Sequence, residues 1–160
     1  LVIRRYLGGV CALVPKERRL PKRTVMLAPP NNGSMLAERF RENNIFRSFW
    51  GVSGIEIAEL NKLQDHLVAP PSFGIIAGGR GTEVGNNPWI PGDDDFVLSV
   101  DETRLPGARD FLVVPVVHGL IATNERVHQY TLRFLKEGYF VASDQRQPIP
   151  ADSPPNREAP

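Results

Sequence analysis

The run Phe-Leu-Val-Val-Pro-Val-Val at 111–117 constrains this chain more than any other stretch. It has no polar face, so as a strand it must be covered on both sides, as strands of parallel sheets are. Pro115 has no N–H to give to a ladder, which places the strand at a sheet edge. Two other short runs share its character, Thr24–Leu27 and Ser72–Ala77. The first stops at Ala28-Pro-Pro-Asn-Asn-Gly33 and the second at Gly78-Gly-Arg-Gly81, both dense turn signals. Strands alternating with helical stretches indicate an α/β fold built on a parallel sheet. Three strands make a thin sheet whose faces still need cover, and the expectation is a partial sheet.

The segments between the strands read as helices and loops. Residues 1–14 carry Leu1, Val2, Ile3, Leu7, Val10 and Ala12, which suits a buried helix ending near Gly8-Gly9. Residues 15–22 are basic and polar and read as an exposed loop. Ser34 can cap a helix carrying Met35, Leu36 and Phe40, and a second piece holds Ile45, Phe46, Phe49 and Trp50. Ser53 and Glu56 fit a capping box opening a third piece with Ile57 and Leu60. Residues 34–65 are therefore expected to be a helical insertion, either a core layer or a cap over an apolar pocket. Residues 96–100 read as a short helix or turn. Asn124 opens a helix whose stripe is Val127, Tyr130, Thr131, Phe134 and Leu135, closed by Gly138. Residues 141–160 are polar and Pro-rich, and a disordered tail is expected there.

The totals narrow the function classes. With 160 residues, the chain suits one domain, here residues 1–140. A net charge of +1 gives no reason to expect nucleic acid as a partner. Cys11 is the sole cysteine, which excludes an internal disulfide and any zinc site built from several cysteines. No apolar run approaches membrane-spanning length, so no integral membrane segment is expected. The opening LVIRRYLGGVCALVP has its basic residues inside the apolar run, which makes a poor signal peptide. Leu at position 1 raises the expectation of a fragment or a processed N-terminus.

Chemistry concentrates in residues 92–119. His118 follows directly on the buried run, where a strand emerges from the sheet. Asp93, Asp94 and Asp95 lie in the preceding loop between strands, near the same sheet edge if the strands are parallel. A carboxylate accepting from one imidazole nitrogen fixes the tautomer and stabilises the imidazolium, leaving the other nitrogen as a general base. Asp95 is the first candidate for that carboxylate, and composition alone leaves Asp94 and Asp93 as alternatives. The competing readings of the three aspartates are a solvated turn and a weak calcium site, the latter with too few further oxygen ligands in the sequence. No cofactor and no metal is expected. Gly79-Arg-Gly81 with Gly85 is one residue off the dinucleotide fingerprint, and Asn86-Asn87-Pro88 follows where a helix should open. His66 and His128 lack ligand-spaced partners. Gly51-Val-Ser53-Gly54 has the spacing G-x-S-G rather than the G-x-S-x-G of a nucleophile elbow, and it does not follow a strand.

Four segments in order carry a resemblance: TVMLAPPNNGS, FGIIAGGRG, DDDFVLSVDETRLPGARDF and VVPVVHGLIATNERV. The chain resembles the C-terminal half of α/β-hydrolase fold esterases and lipase-like hydrolases over roughly residues 1–140. The resemblance implies Asp95 as triad acid and His118 as general base. Gly often follows the acid in that family, and Phe96 stands here, which leaves Asp94 and Asp95 both in play. LVIRRYL resembles the helix after the elbow. The serine, its strand and the oxyanion donors would then lie upstream of Leu1, so that the N-terminal half is absent. The expectation is a fragment of a serine ester hydrolase acting on an ester or lipid substrate, inactive by itself. The alternative is a non-catalytic, degenerate module of the same fold that binds a ligand or partner.

Overall fold

The computed structural model describes residues 2–13, 20–40, 42 and 67–153. The Ser72–Ala77 run supplies the central strand, β2 (Phe73–Gly78), which is buried at every residue. It is flanked in parallel by β1 (Thr24–Leu27) and β3 (Asp110–Val114), in the order β1-β2-β3. Thr24 lies opposite Phe73 and Gly74 opposite Asp110. Side chains alternate between the faces. Phe73, Ile75 and Ala77 pack on one side with Met26, Val100 and Phe111, while Ile76 packs on the other with Val127, Phe134 and Phe140. The chain is thus a small open parallel sheet covered by helices, as strands apolar on both faces require.

β3 lies at a sheet edge and is shorter than the apolar run that encodes it. The strand stops at Val114 instead of reaching Val117, because Pro115 has no N–H to continue the ladder. The Val116 N–H then folds back onto the Val114 carbonyl at 2.7 Å, a three-residue turn that redirects the chain towards His118.

The first helix, α1 (Val2–Leu13), runs through Gly8-Gly9 rather than ending there. Glycine inside a helix costs about 1 kcal/mol relative to alanine. Tertiary contacts outweigh that cost. Leu7 is fully buried, Ile3 packs on the sheet, and buried Arg4 donates to the side chain of Asn31 at 3.1 Å. Burial lowers the Arg4 guanidinium from its ordinary pKa. Ser34 caps α2 (Met35–Phe40) as expected, its hydroxyl accepting from the Ala37 N–H at 3.2 Å. The remainder of the expected 34–65 insertion, with the Ser53–Glu56 capping box, the Gly51–Gly54 motif and His66, lies outside the described residues apart from residue 42.

A capping box is present at Ser99 and Glu102, opening α3 (Val100–Thr103). The loop after β1 closes the other end of this short helix. Asn31 Nδ2 donates to the Thr103 carbonyl, the Asn32 N–H to that of Glu102, and Asn32 Nδ2 to those of Asp101 and Arg104. One turn of helix has little stability of its own, and these bonds satisfy the carbonyls it would otherwise leave open.

The last helix, α4 (Glu125–Glu137), follows its sequence signals closely. Asn124 accepts from the Val127 N–H, Gly138 closes it at φ 89°, and the Gly138 N–H returns to the Phe134 carbonyl. Arg23 reaches from the start of β1 to the carbonyls of Leu135 and Lys136, a cation at the negative end of the helix. Of the expected stripe, Val127 and Phe134 are fully buried whereas Leu135 is exposed. Phe134 stacks on Phe140 at 4.8 Å, and both rings press against Gly74.

The expected disordered tail is corrected over residues 141–153. Buried Asp110 accepts from the N–H groups of Phe111, Phe140 and Gln147. Ile149 exchanges backbone hydrogen bonds with Ala108 and Gly107 and packs against the Phe111 cluster. The segment has few apolar side chains, so its composition resembles a tail, but backbone groups and one buried carboxylate hold it. Residues 154–160 lie outside the described residues. No helix among the described residues is long and apolar enough to cross a membrane.

Candidate active site

Parallel strands deliver their following loops to one edge of the sheet. The loop after β2 carries Asp93, Asp94 and Asp95, and the turn after β3 carries His118, the first residue of a 3-10 turn reaching Thr123. β2 and β3 are paired neighbours, and the structure brings Asp95 and His118 together. Asp95 Oδ2 lies 2.7 Å from His118 Nδ1, and the His118 N–H donates to the Asp95 carbonyl at 2.9 Å. The two residues are therefore tied through both backbone and side chain.

The environments of the partners differ. The Asp95 side chain is fully buried, while that of His118 is 33% exposed. Asp95 Oδ1 accepts from the N–H groups of Val97 at 3.1 Å and Leu98 at 2.8 Å. The buried carboxylate thus accepts from two backbone N–H groups through one oxygen and meets the imidazole through the other. With Asp95 ionised, Nδ1 of His118 carries the proton it shares with Oδ2. Nε2 is left as the basic nitrogen. Among the described residues nothing is hydrogen-bonded to Nε2. The pair can therefore accept a proton at Nε2 while Asp95 stabilises the imidazolium that forms.

The three consecutive aspartates do three different jobs. The Asp93 carboxylate accepts from the N–H groups of Arg80 and Gly81, each at 2.7 Å. The glycine-rich turn after β2 thus binds an anion supplied by this same chain. Buried Asp94 accepts from the N–H groups of Asn87 and Phe96. Neither faces His118 in this way, so the ambiguity over which aspartate pairs with the imidazole is resolved in favour of Asp95. Phe96 adopts a φ of 78°, the left-handed region, which costs a non-glycine residue roughly 1–2 kcal/mol. Its N–H bond to Asp94 and the bond from Asn87 Nδ2 to its carbonyl hold it there.

Three glycines make room for these carboxylates, Gly79 among them, whose Cβ would lie 2.7 Å from Asp93 Oδ2. A Cβ on Gly78, the last residue of β2, would lie 2.4 Å from the Val116 carbonyl oxygen and 2.7 Å from Asp95 Cβ. A Cβ on Gly85 would fall 1.7 Å from Asp94 Oδ2. The sequence places Gly78 in a turn signal and Gly85 in an off-register glycine motif, and neither pattern records their role in close approach. Sequence reasoning also passed over Ser99 and Glu102, although Ser-Val-Asp-Glu fits the S-x-x-E signature.

Glu102 lies in α3, the short helix that follows the acid loop. Its carboxylate accepts from the N–H groups of Ser99 and Met35. Burial pushes its pKa above the ordinary value against these bonds, and the charge of Asp95 adds to the rise. His128, the other described histidine, bonds through Nε2 to the Ala122 carbonyl at 2.7 Å, a local contact in the 3-10 turn. Among the described residues no group of three or more His, Cys, Asp or Glu side chains could hold a metal ion. No family model, curated protein or solved structure matches this chain.

Proposed function

We propose that Asp95 and His118 are the acid and the base of a serine ester hydrolase of the α/β-hydrolase type, with the nucleophile supplied from outside these 160 residues. The observation that carries this reading is the 2.7 Å contact between His118 Nδ1 and a fully buried Asp95, both at the C-terminal edge of a parallel sheet. The order of the four sequence segments that resemble such enzymes supports it.

In this reading a serine hydroxyl stands at Nε2 of His118. His118 takes its proton as the oxygen attacks the ester carbonyl, and Asp95 stabilises the resulting imidazolium. His118 then returns the proton to the leaving alkoxide. Two exposed apolar residues stand close to the pair in sequence: Phe96 directly follows the acid, and Leu120 lies two residues after the base. They favour an ester with an apolar acyl or alkyl part.

The test compares the 160-residue chain with a version extended by its natural upstream coding sequence, using p-nitrophenyl esters. Hydrolysis is expected only in the extended protein, and His118→Ala should abolish it. Removing a triad member costs about 10⁴–10⁶ in kcat. Hydrolysis by the extended protein that survives His118→Ala would refute the assignment. An upstream sequence without a strand followed by G-x-S-x-G would favour a non-catalytic module of the same fold.

A further inference from the structure

We infer that Glu102 is a positioning residue for the Asp95–His118 pair, linking the acid loop to the loop of the neighbouring strand. The inference rests on the proposed roles of Asp95 and His118 as acid and base.

An ordinary capping box is closed within its own helix: the Ser accepts from the Glu N–H, and the Glu carboxylate accepts from the Ser N–H. Those two bonds are present here, at 3.2 and 2.8 Å. Glu102 goes further. Its other carboxylate oxygen accepts from the N–H of Met35, the first residue of α2, and its backbone carbonyl accepts from the Asn32 N–H at 3.0 Å. One residue therefore binds the openings of two helices. One opening follows β1 and the other follows the acid loop, which is attached to β2.

The acid loop depends on that anchor. Asp95 stands in a tight turn whose N–H donates to the Leu98 carbonyl at 3.0 Å, with Leu98 directly before Ser99. Asp94 and Ser99 form a β-bridge across the turn. Displacing Ser99 therefore displaces Leu98, and the Leu98 N–H is the shorter of the two bonds to Asp95 Oδ1. Burial, and to a lesser degree the charge of Asp95, work against ionisation of Glu102, so the anchor carries an electrostatic cost. A helix cap with a solely local role needs neither the bond to α2 nor a cost of this kind, since capping is available from exposed acids at lower expense in desolvation.

The experiment is proton NMR on the 160-residue chain, observing the downfield resonance of the His118 Nδ1 proton shared with Asp95. Glu102→Gln removes the charge and one acceptor. Met35→Pro deletes the N–H that Glu102 receives from α2 and leaves the Glu102 carboxylate in place, at a first helical position where proline is tolerated. Both variants are expected to shift this resonance upfield or broaden it to loss, with the far-ultraviolet circular dichroism unchanged. An unchanged resonance in both variants, or lowered thermal stability with an unchanged resonance, overturns the inference and reduces Glu102 to a cap. Absence of the resonance in the wild-type chain overturns it too, for there is then no pair to position. If Glu102→Gln fails to fold, Met35→Pro alone decides. None of these outcomes depends on ester hydrolysis, so failure of the proposed function and failure of this inference are separately visible.

Discussion

Gly78→Ala tests the construction of the site at its tightest point. The added methyl would sit 2.4 Å from the Val116 carbonyl oxygen and 2.7 Å from Asp95 Cβ. Neither neighbour is the free end of a flexible side chain. One is backbone in the turn after β3, and the other is the root of a buried aspartate held by three hydrogen bonds through its side chain. Relief requires β2 and β3 to separate or the acid loop to lift. Overpacking of this kind costs about 1–3 kcal/mol, and two immovable contacts place Gly78→Ala at roughly 2–3 kcal/mol. For a domain of this size that lowers Tm by roughly 5–10 °C. Gly9→Ala is the matched control. Its Cβ meets nothing within 4 Å, and it lies within α1, so the same chemical change should stabilise by about 0.5–1 kcal/mol. Urea unfolding of both variants beside the wild type, read by circular dichroism, gives the two values from shifts in midpoint at constant slope. A Gly78→Ala protein within about 0.5 kcal/mol of wild type, the usual spread of neutral surface substitutions, would refute the close-approach argument.

Three further outcomes are expected. Asp95→Asn should leave His118 in the wrong tautomer, because the amide would donate to Nδ1 where the carboxylate accepts. Nitrogen-15 shifts of the ring should show the proton on Nε2, and in an extended, active protein kcat should fall by about 10⁴. Asp110→Ala removes the acceptor shared by the N–H groups of Phe111, Phe140 and Gln147. A cost of about 3–4 kcal/mol is expected from leaving buried donors unpaired, together with faster amide exchange at Phe140 and Gln147; protection there equal to wild type would count against the staple. Glu102 ionises in the unfolded chain before it does in the folded one, because its folded pKa is raised. Its contribution to stability is therefore greatest below the unfolded value and is lost as pH rises through the folded one. The stability of wild type relative to Glu102→Gln should decline as pH rises from about 4 towards neutrality, and a flat difference across urea titrations would contradict the shift.

The amino-acid sequence by itself determined the local elements whose signals act over a few residues. Asn124 and Gly138 bound α4 because capping and the left-handed turn are short-range effects, and Ser34 opens α2 for the same reason. The apolar runs specified a parallel sheet covered on both faces, and Pro115 placed β3 at an edge. Asp95 and His118 were legible as candidates because a carboxylate and an imidazole stood after successive strands. Tertiary structure alone decided which aspartate meets the imidazole. Asp93, Asp94 and Asp95 are chemically identical, and only the turn that aims their side chains distinguishes them. It also carried α1 through Gly8-Gly9, ordered residues 141–153 on Asp110, and made Gly78 a matter of space. Each of these depends on groups far apart in the chain, so no local pattern records it. The pairing of Asp95 with His118 joins residues 23 positions apart; the sequence proposed the partners, and the register of β2 against β3 brought them within 2.7 Å.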